Sequence, residues 1–227
     1  MPRLGMTLRT LLRAGADLVV PECCGGCERP GTGWCDRCEQ TLADDPIAVT
    51  PRVSVDAPVW ALGRYRGPHR RTILALKEHG RRDLATPLGL ALATSIRILA
   101  RWGELPDAPT AQLIPAPTRP WSARRRGGDP VTAISVAAAH TLGPRVRCTP
   151  MLVTASSTRD SAGLDARDRA RNLSGAIRLR RRVTGSGAPL TILVDDVLTT
   201  GATAAESIRV LRAAGVRVHT VIVVAAA

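Results

Sequence analysis

The sequence predicts an α/β fold, a parallel sheet flanked by helices, preceded by a small N-terminal four-cysteine module. Three observations carry this. The run Thr191 to Val194 is apolar and β-branched on both faces, as a strand buried in a parallel sheet is, and a Thr/Gly loop and a helix follow it. Upstream, short apolar strands alternate with helical patterns, which is the signature of βαβ units. Near the N-terminus two Cys-x-x-Cys pairs stand seven residues apart, in a stretch too rich in Pro and Gly to build a core.

At 227 residues with 44% hydrophobic content, the chain is long enough for one core of ordinary size and a small appendage. Its formal charge is +13, and of its 32 basic residues only Lys77 is a lysine. Phe is absent and Tyr65 is the single tyrosine, a skew toward residues with G/C-rich codons. That skew does not account for the excess of base over acid, which suits phosphate-rich ligands or nucleic acid. Arg13 and Asp17 interrupt the apolar N-terminal stretch, so it does not read as a signal peptide, and Val221 to Ala227 is far too short to span a bilayer. A cytoplasmic protein with no membrane association is expected.

Leu4 to Val20 carries apolar residues at helical spacing and predicts a short amphipathic helix stopped by Pro21. Cys24, Cys27, Cys35 and Cys38 then form two knuckles suited to a tetrahedral thiolate site, for which zinc is the usual occupant. Four thiolates leave no open position, so such a zinc is structural. Cys23 competes with its neighbour; the equal two-residue gaps favour Cys24. Cys148, far away, is expected to be a core thiol. Residues 1–45 are taken as this module and 46–227 as the α/β domain.

Asp44 to Asp56 predicts a linker, and Val59 to Tyr65 a strand. A helix over Arg70 to His79 follows, capped by Gly80, with His69 and His79 solvated. Asp83 to Trp102 is a long helix with Leu84, Leu88, Leu92 and Ile96 as its core stripe. Ala111 to Ile114 is a second strand, running into a Pro-rich loop with Arg119 and the run Arg124 to Arg126. Pro130 opens an Ala-rich helix to Leu142. Met151 to Val153 is a third strand. Arg159 to Ile177 is charged and Gly-bearing, and Arg178 to Gly187 is a basic hairpin or linker. The last strand is Val216 to Val224.

The functional signal is densest at Thr191 to Thr203. The strand ends in Asp195 and Asp196; Thr199, Thr200, Gly201, Ala202 and Thr203 make the loop; and Thr203 with Glu206 has capping-box spacing, which places the helix start at Thr203. Loop N–H groups and the helix dipole make an anion site there. Two carboxylates beside a phosphate cradle fit a ligand that presents a sugar diol to the acids and a phosphate to the loop, as a ribose 5-phosphate does. No Gly-Lys-Ser/Thr follows, so the loop is not a Walker loop.

These thirteen residues resemble the phosphoribosyl-diphosphate (PRPP) signature of type I phosphoribosyltransferases. With the cysteine knuckles and the stretch Tyr65 to Arg81, including Leu76-Lys77-Glu78-His79-Gly80-Arg81, the chain is similar to the ComF branch (competence protein F-like, a zinc-bearing family) over nearly its whole length. The resemblance implies a type I phosphoribosyltransferase-like fold that binds PRPP with Mg²⁺ and transfers phosphoribosyl to a nitrogen acceptor, releasing pyrophosphate. Asp195 and Asp196 would hold the ribose and Thr199 to Thr203 the 5-phosphate. Lys77, Arg119, Arg159 and Arg169 are candidates for the diphosphate or a lid, the lid being Arg159 to Ile177. Where the family commonly reads Arg-Gly-Phe-Asn-Gln, this chain has Arg126-Gly127-Gly128-Asp129-Pro130. The alternative, of a different class, is a nucleic-acid-binding accessory factor in DNA uptake or repair, using single-stranded DNA as its partner; a homodimer is compatible with either.

Overall fold

The computed structural model describes residues 22–118, 129–154, 176–180 and 189–227. The predicted N-terminal helix, Arg119, Arg124 to Arg126, Arg159 and Arg169 lie outside them.

A mixed α/β core is built on a six-stranded sheet. In chain order the elements are α1 (Asp36–Leu42), β1 (Ile47–Ala48), β2 (Val59–Ala61), α2 (Gly67–Glu78), a 3-10 turn (Arg82–Leu84), α3 (Ala85–Arg101), β3 (Ala111–Pro115), α4 (Pro130–Leu142), β4 (Val146–Cys148), β5 (Leu152–Thr154), β6 (Ile177–Leu179), β7 (Leu190–Leu198), α5 (Ala202–Ala213) and β8 (Thr220–Ala226). The sheet runs β1-β2-β8-β7-β3-β4, and only the β1–β2 pair is antiparallel. From the centre the chain moves outward in two directions, β3 to β4 on one side and β7 to β8 on the other. The β3–β7 boundary is therefore the topological switch point, where the loops leaving the two strands diverge and open a crevice at their carboxyl ends.

Burial follows the predicted periods. β7 is buried at Leu190 to Val194, and every residue of β8 is buried, as central parallel strands require. Ile192 and Val194 join the core cluster beneath α3 and α4; Leu193 joins the opposite cluster with Ile208 and Leu211 of α5. The predicted stripe Leu84, Leu88, Leu92 and Ile96 is buried throughout. The stretch Arg82–Arg101 has the length and apolarity to cross a bilayer, but that stripe is taken up by the core.

Several expectations are corrected. The helix predicted from Arg70 begins at Gly67, because Pro68 in the first turn presets the helical φ. Asp83 and Leu84 belong to the 3-10 turn that precedes α3. The strand after β3 in the parallel sheet is Val146–Cys148, not Met151 to Val153; Leu152–Thr154 pairs antiparallel with Ile177–Leu179 in a separate two-stranded sheet. The expected linker 44–56 contains β1. His69 is not solvated: it is buried, and its ring lies so close to Gly63 that a Cβ there would sit 2.4 Å from it. His79 is exposed, as expected. Cys148 is partly buried on β4 beside the core, where burial pushes its thiol up to about 11.

α3 and α4 make the closest helix pairing, and Gly89 sets it. A Cβ there would lie 2.4 Å from Ala137 Cβ and 2.9 Å from the Ala138 backbone nitrogen. Helix propensity alone favours Ala over Gly by about 1 kcal/mol. Gly89→Ala is expected to go the other way and destabilise by about 1–3 kcal/mol through overpacking, as read from urea unfolding midpoints.

Candidate functional site

β7 outruns its neighbour. Pro115, the last residue of β3, pairs with Val194, so Asp195 and the residues after it extend past β3 while still pairing with β8. The acids were expected to end the strand; they lie within it, and it continues to Leu198. Successive strand residues leave opposite faces, so Asp196 shares the face of Ile192 and Val194 and Asp195 shares that of Leu193. The carboxylates thus straddle the strand end at the lip of the crevice.

Their charges are managed differently. Asp196 is buried, and its Oδ2 lies 2.5 Å from Lys77 Nζ in the last turn of α2. The single lysine was predicted as a diphosphate or lid contact; the structure places it on the second acid. Asp195 accepts the Asp196 backbone N–H at 2.8 Å. Desolvation, and then the charge of Asp196, push the Asp195 carboxyl up to about 7, against the pull of that N–H and of Lys77. Asp129 adds to the rise, which puts it in the same electrostatic neighbourhood. Part of the Asp195 side chain stays open to solvent, and hydration there tempers the shift without changing its sign.

The loop after β7 is held from behind. The Val53 N–H donates to the Thr200 carbonyl at 2.8 Å, and a Cβ on Gly201 would lie 2.7 Å from Pro51 Cβ. Gly201 also has φ +90°, the left-handed region, so both space and backbone call for glycine. The capping-box expectation is corrected: Gly201 is the N-cap, α5 begins at Ala202, and Glu206 pairs with Arg209 at 2.7 Å instead of reaching back. Thr200 Oγ1 accepts the Ala202 N–H at 3.3 Å, while the first ladder bond runs from Ala205 N–H to the Gly201 carbonyl. The N–H groups of Thr203 and Ala204 precede that ladder and face the end of the helix, where an anion is favoured. Thr199 is exposed, and Thr200 and Ala202 are buried.

The four predicted cysteines converge. Their Sγ atoms all lie within 4.8 Å of one another, with Cys24–Cys35 and Cys27–Cys35 at 3.6 Å. Tetrahedral zinc with Zn–S bonds of about 2.3 Å has S–S edges of about 3.8 Å, so the cluster is compatible with a structural metal such as zinc. Cys24, not Cys23, belongs to it. Gly26 lets the first knuckle close, since a Cβ there would lie 2.7 Å from Cys38 Sγ. Burial pushes the Cys38 thiol up, so keeping it as a thiolate calls for a cation at the centre. Arg81 docks the knuckles on the main body, donating to the Cys23 carbonyl at 2.8 Å and the Gly33 carbonyl at 3.0 Å while paired with Asp83.

Asp129, noticed in the sequence only as a departure from a family pattern, is the N-cap of α4. It accepts from Val131 N–H at 3.2 Å, Thr118 Oγ1 at 3.1 Å and Thr132 Oγ1 at 2.5 Å. Beside it is a cavity of about 510 Å³ between the end of β3, the start of α4 and the β5–β6 pair. A larger cavity of about 1010 Å³ lies at the amino ends of β2 and β8, and none of the described residues of the predicted site lines it. Compared with known proteins, the sequence matches no family model and no curated protein.

The raised Asp195 carboxyl carries a sign. Between its ordinary value near 3.8 and about 7 the folded chain binds more protons than the unfolded one, so this group's contribution to stability falls as pH rises through that window. Asp195→Asn removes the penalty. The variant is expected to melt above the wild type at pH 8, with the gap closing toward pH 4, in thermal melts across that range.

Proposed function

We propose that the chain binds PRPP and transfers its phosphoribosyl group to a nitrogen acceptor with release of pyrophosphate, as the ComF-like phosphoribosyltransferases it resembles would. One observation carries the reading: two adjacent acids at the carboxyl end of the strand beside the switch point, followed at once by a left-handed glycine and the open N-terminus of α5. An anion site and a diol site are then contiguous along the chain, the order in which a sugar phosphate would need them.

In this reading the Thr199 to Thr203 loop holds the 5-phosphate, with the N–H groups of Thr203 and Ala204 facing it, and the ribose hydroxyls donate to Asp195 and Asp196. Lys77 offsets the charge of the acid pair. The acceptor nitrogen's lone pair forms a bond to ribose C1 as the C1–oxygen bond to the diphosphate breaks. Pyrophosphate departs with that electron pair, and the nitrogen then loses its surplus proton. Carboxylates near the ribose stabilise the oxocarbenium-like charge that develops at C1. Mg²⁺ on the diphosphate would neutralise the leaving group. No side chain acts as a nucleophile. The Arg119, Arg159 and Arg169 assignments to the diphosphate rest on sequence resemblance. Cys24, Cys27, Cys35 and Cys38 would hold the zinc, which would supply folding energy to the segment that Arg81 docks. The competing nucleic-acid reading draws on the net charge of +13, and binding that survives physiological salt would favour it.

Two measurements test the proposal. Mg²⁺-PRPP should raise the melting temperature, because it binds only the folded state; Asp195→Asn with Asp196→Asn should remove most of the rise, and Gly201→Val should weaken it. An unchanged rise in these variants would exclude the site. Separately, metal analysis of purified protein should find about one zinc per chain, lost in a Cys27→Ser, Cys38→Ser double variant; full occupancy in that variant would end the assignment.

A further inference from the structure

The larger cavity, about 1010 Å³, has no part in the proposed reaction. It lies at the amino ends of β2 and β8, beside the C-terminal end of α5. The acid pair lies toward the carboxyl end of β7, which runs parallel to β8. A molecule held in this cavity is therefore a second ligand and not a substrate of the crevice. Its walls are apolar. Val55 and Ala57 are half-buried, Pro58 and Pro106 are exposed, and Val216 and Val218 close the floor. An apolar concavity with a few placed polar groups is the usual form of a small-ligand site.

The polar groups on the lining can be taken one by one. Arg212, in the last turn of α5, is paired with Asp56, and its charge also answers the negative end of the helix. Arg217 is exposed, and among the described residues it has no acidic partner. His219 is tied to the start of β7 from both sides. Its backbone N–H donates to the Thr191 carbonyl at 2.9 Å, and the Thr191 N–H donates to its Nδ1 at 3.0 Å. A ring nitrogen that accepts carries no proton, so the donor of this ring is Nε2–H. The cavity thus offers one uncompensated guanidinium and one neutral N–H donor, with the Asp56 carboxylate on the same lining.

We propose that this cavity binds an organic monocarboxylate, its apolar body against the Val and Pro walls and its carboxylate on Arg217, with His219 Nε2–H as a further donor. A guanidinium meets a carboxylate through two parallel N–H bonds, which fixes orientation as well as charge. A phosphate dianion would bring two charges to a site with one uncompensated cation, and would meet Asp56 as well. A neutral amide of the same body would forfeit the charge-assisted bonds. The proposal owes nothing to the transfer reaction, because none of the residues it uses lies at the acid pair or the Thr/Gly loop.

The probes are two acids with unlike bodies, the flat naphthoate and the flexible octanoate, each beside its own amide, and naphthyl phosphate. Each is titrated into the full-length protein at low ionic strength without PRPP, with affinity read by calorimetry and location by backbone NMR. At least one acid is expected to bind about tenfold or more tighter than its amide, naphthoate to bind tighter than naphthyl phosphate, and the largest amide shifts to fall at residues 216–219. Arg217→Gln, at an exposed position, should bring the acid down to the affinity of its amide while leaving the melting temperature unchanged. Acid and amide binding alike, a tighter phosphate, the largest shifts elsewhere, an acid preference that survives Arg217→Gln, or no binding by either acid at millimolar concentration overturns the proposal. Because PRPP is absent from the titrations, its failure to stabilise the protein would defeat the transfer reaction and leave this site to its own data.

Discussion

Two like charges on consecutive residues at the end of a buried strand are the constraint to which the rest of the structure answers. In a low-dielectric setting such a pair is costly unless each charge is met. The chain meets them unequally. Asp196 receives an ammonium from α2, delivered over a long sequence separation, and Asp195 receives a backbone N–H and remaining contact with water. The unequal treatment leaves the Asp195 carboxyl pushed up to about 7, the kind of perturbation that makes it a candidate for the proposed ligand role.

The last turn of α2 joins this constraint to the cysteine cluster. Lys77 reaches Asp196, and Arg81, just past the end of α2, reaches the knuckle carbonyls. The corner between α2 and α3 is thus a shared support for both polar centres. α1 completes the connection by placing Leu42 in the main core, so the described part of the cysteine segment shares hydrophobic contacts with the sheet layers and is not merely appended to them.

What the sequence revealed about this arrangement follows from physical range. The signature strand, the Thr/Gly loop after it and the cysteine spacing are local patterns, encoded within a dozen residues, and each was legible. The α3 stripe was legible because its period is long and unbroken. β4 was not: Val146-Arg147-Cys148 is three residues with an arginine at its centre, too short for a period to show. The partner of Lys77 was illegible because it is set by the packing of α2 on the sheet and not by neighbours in sequence. His69 looked like an ordinary surface histidine; only the absence of a side chain at Gly63 makes room for it. The role of Asp129 was hidden for a different reason. A substitution away from a familiar pattern reads as loss, whereas the structure shows a cap that organises three donors.

The segment from Pro51 to Val55 passes behind the Thr/Gly loop, with Pro51 against Gly201 and the Val53 amide on the Thr200 carbonyl. A loop clamped on its far side has few conformations left to surrender when an anion arrives at its near side. Much of the ordering entropy that a free glycine loop would lose on binding is instead lost during folding, where core burial offsets it. The stretch that looks like a spacer between two modules would therefore be part of the preorganisation of the proposed anion site.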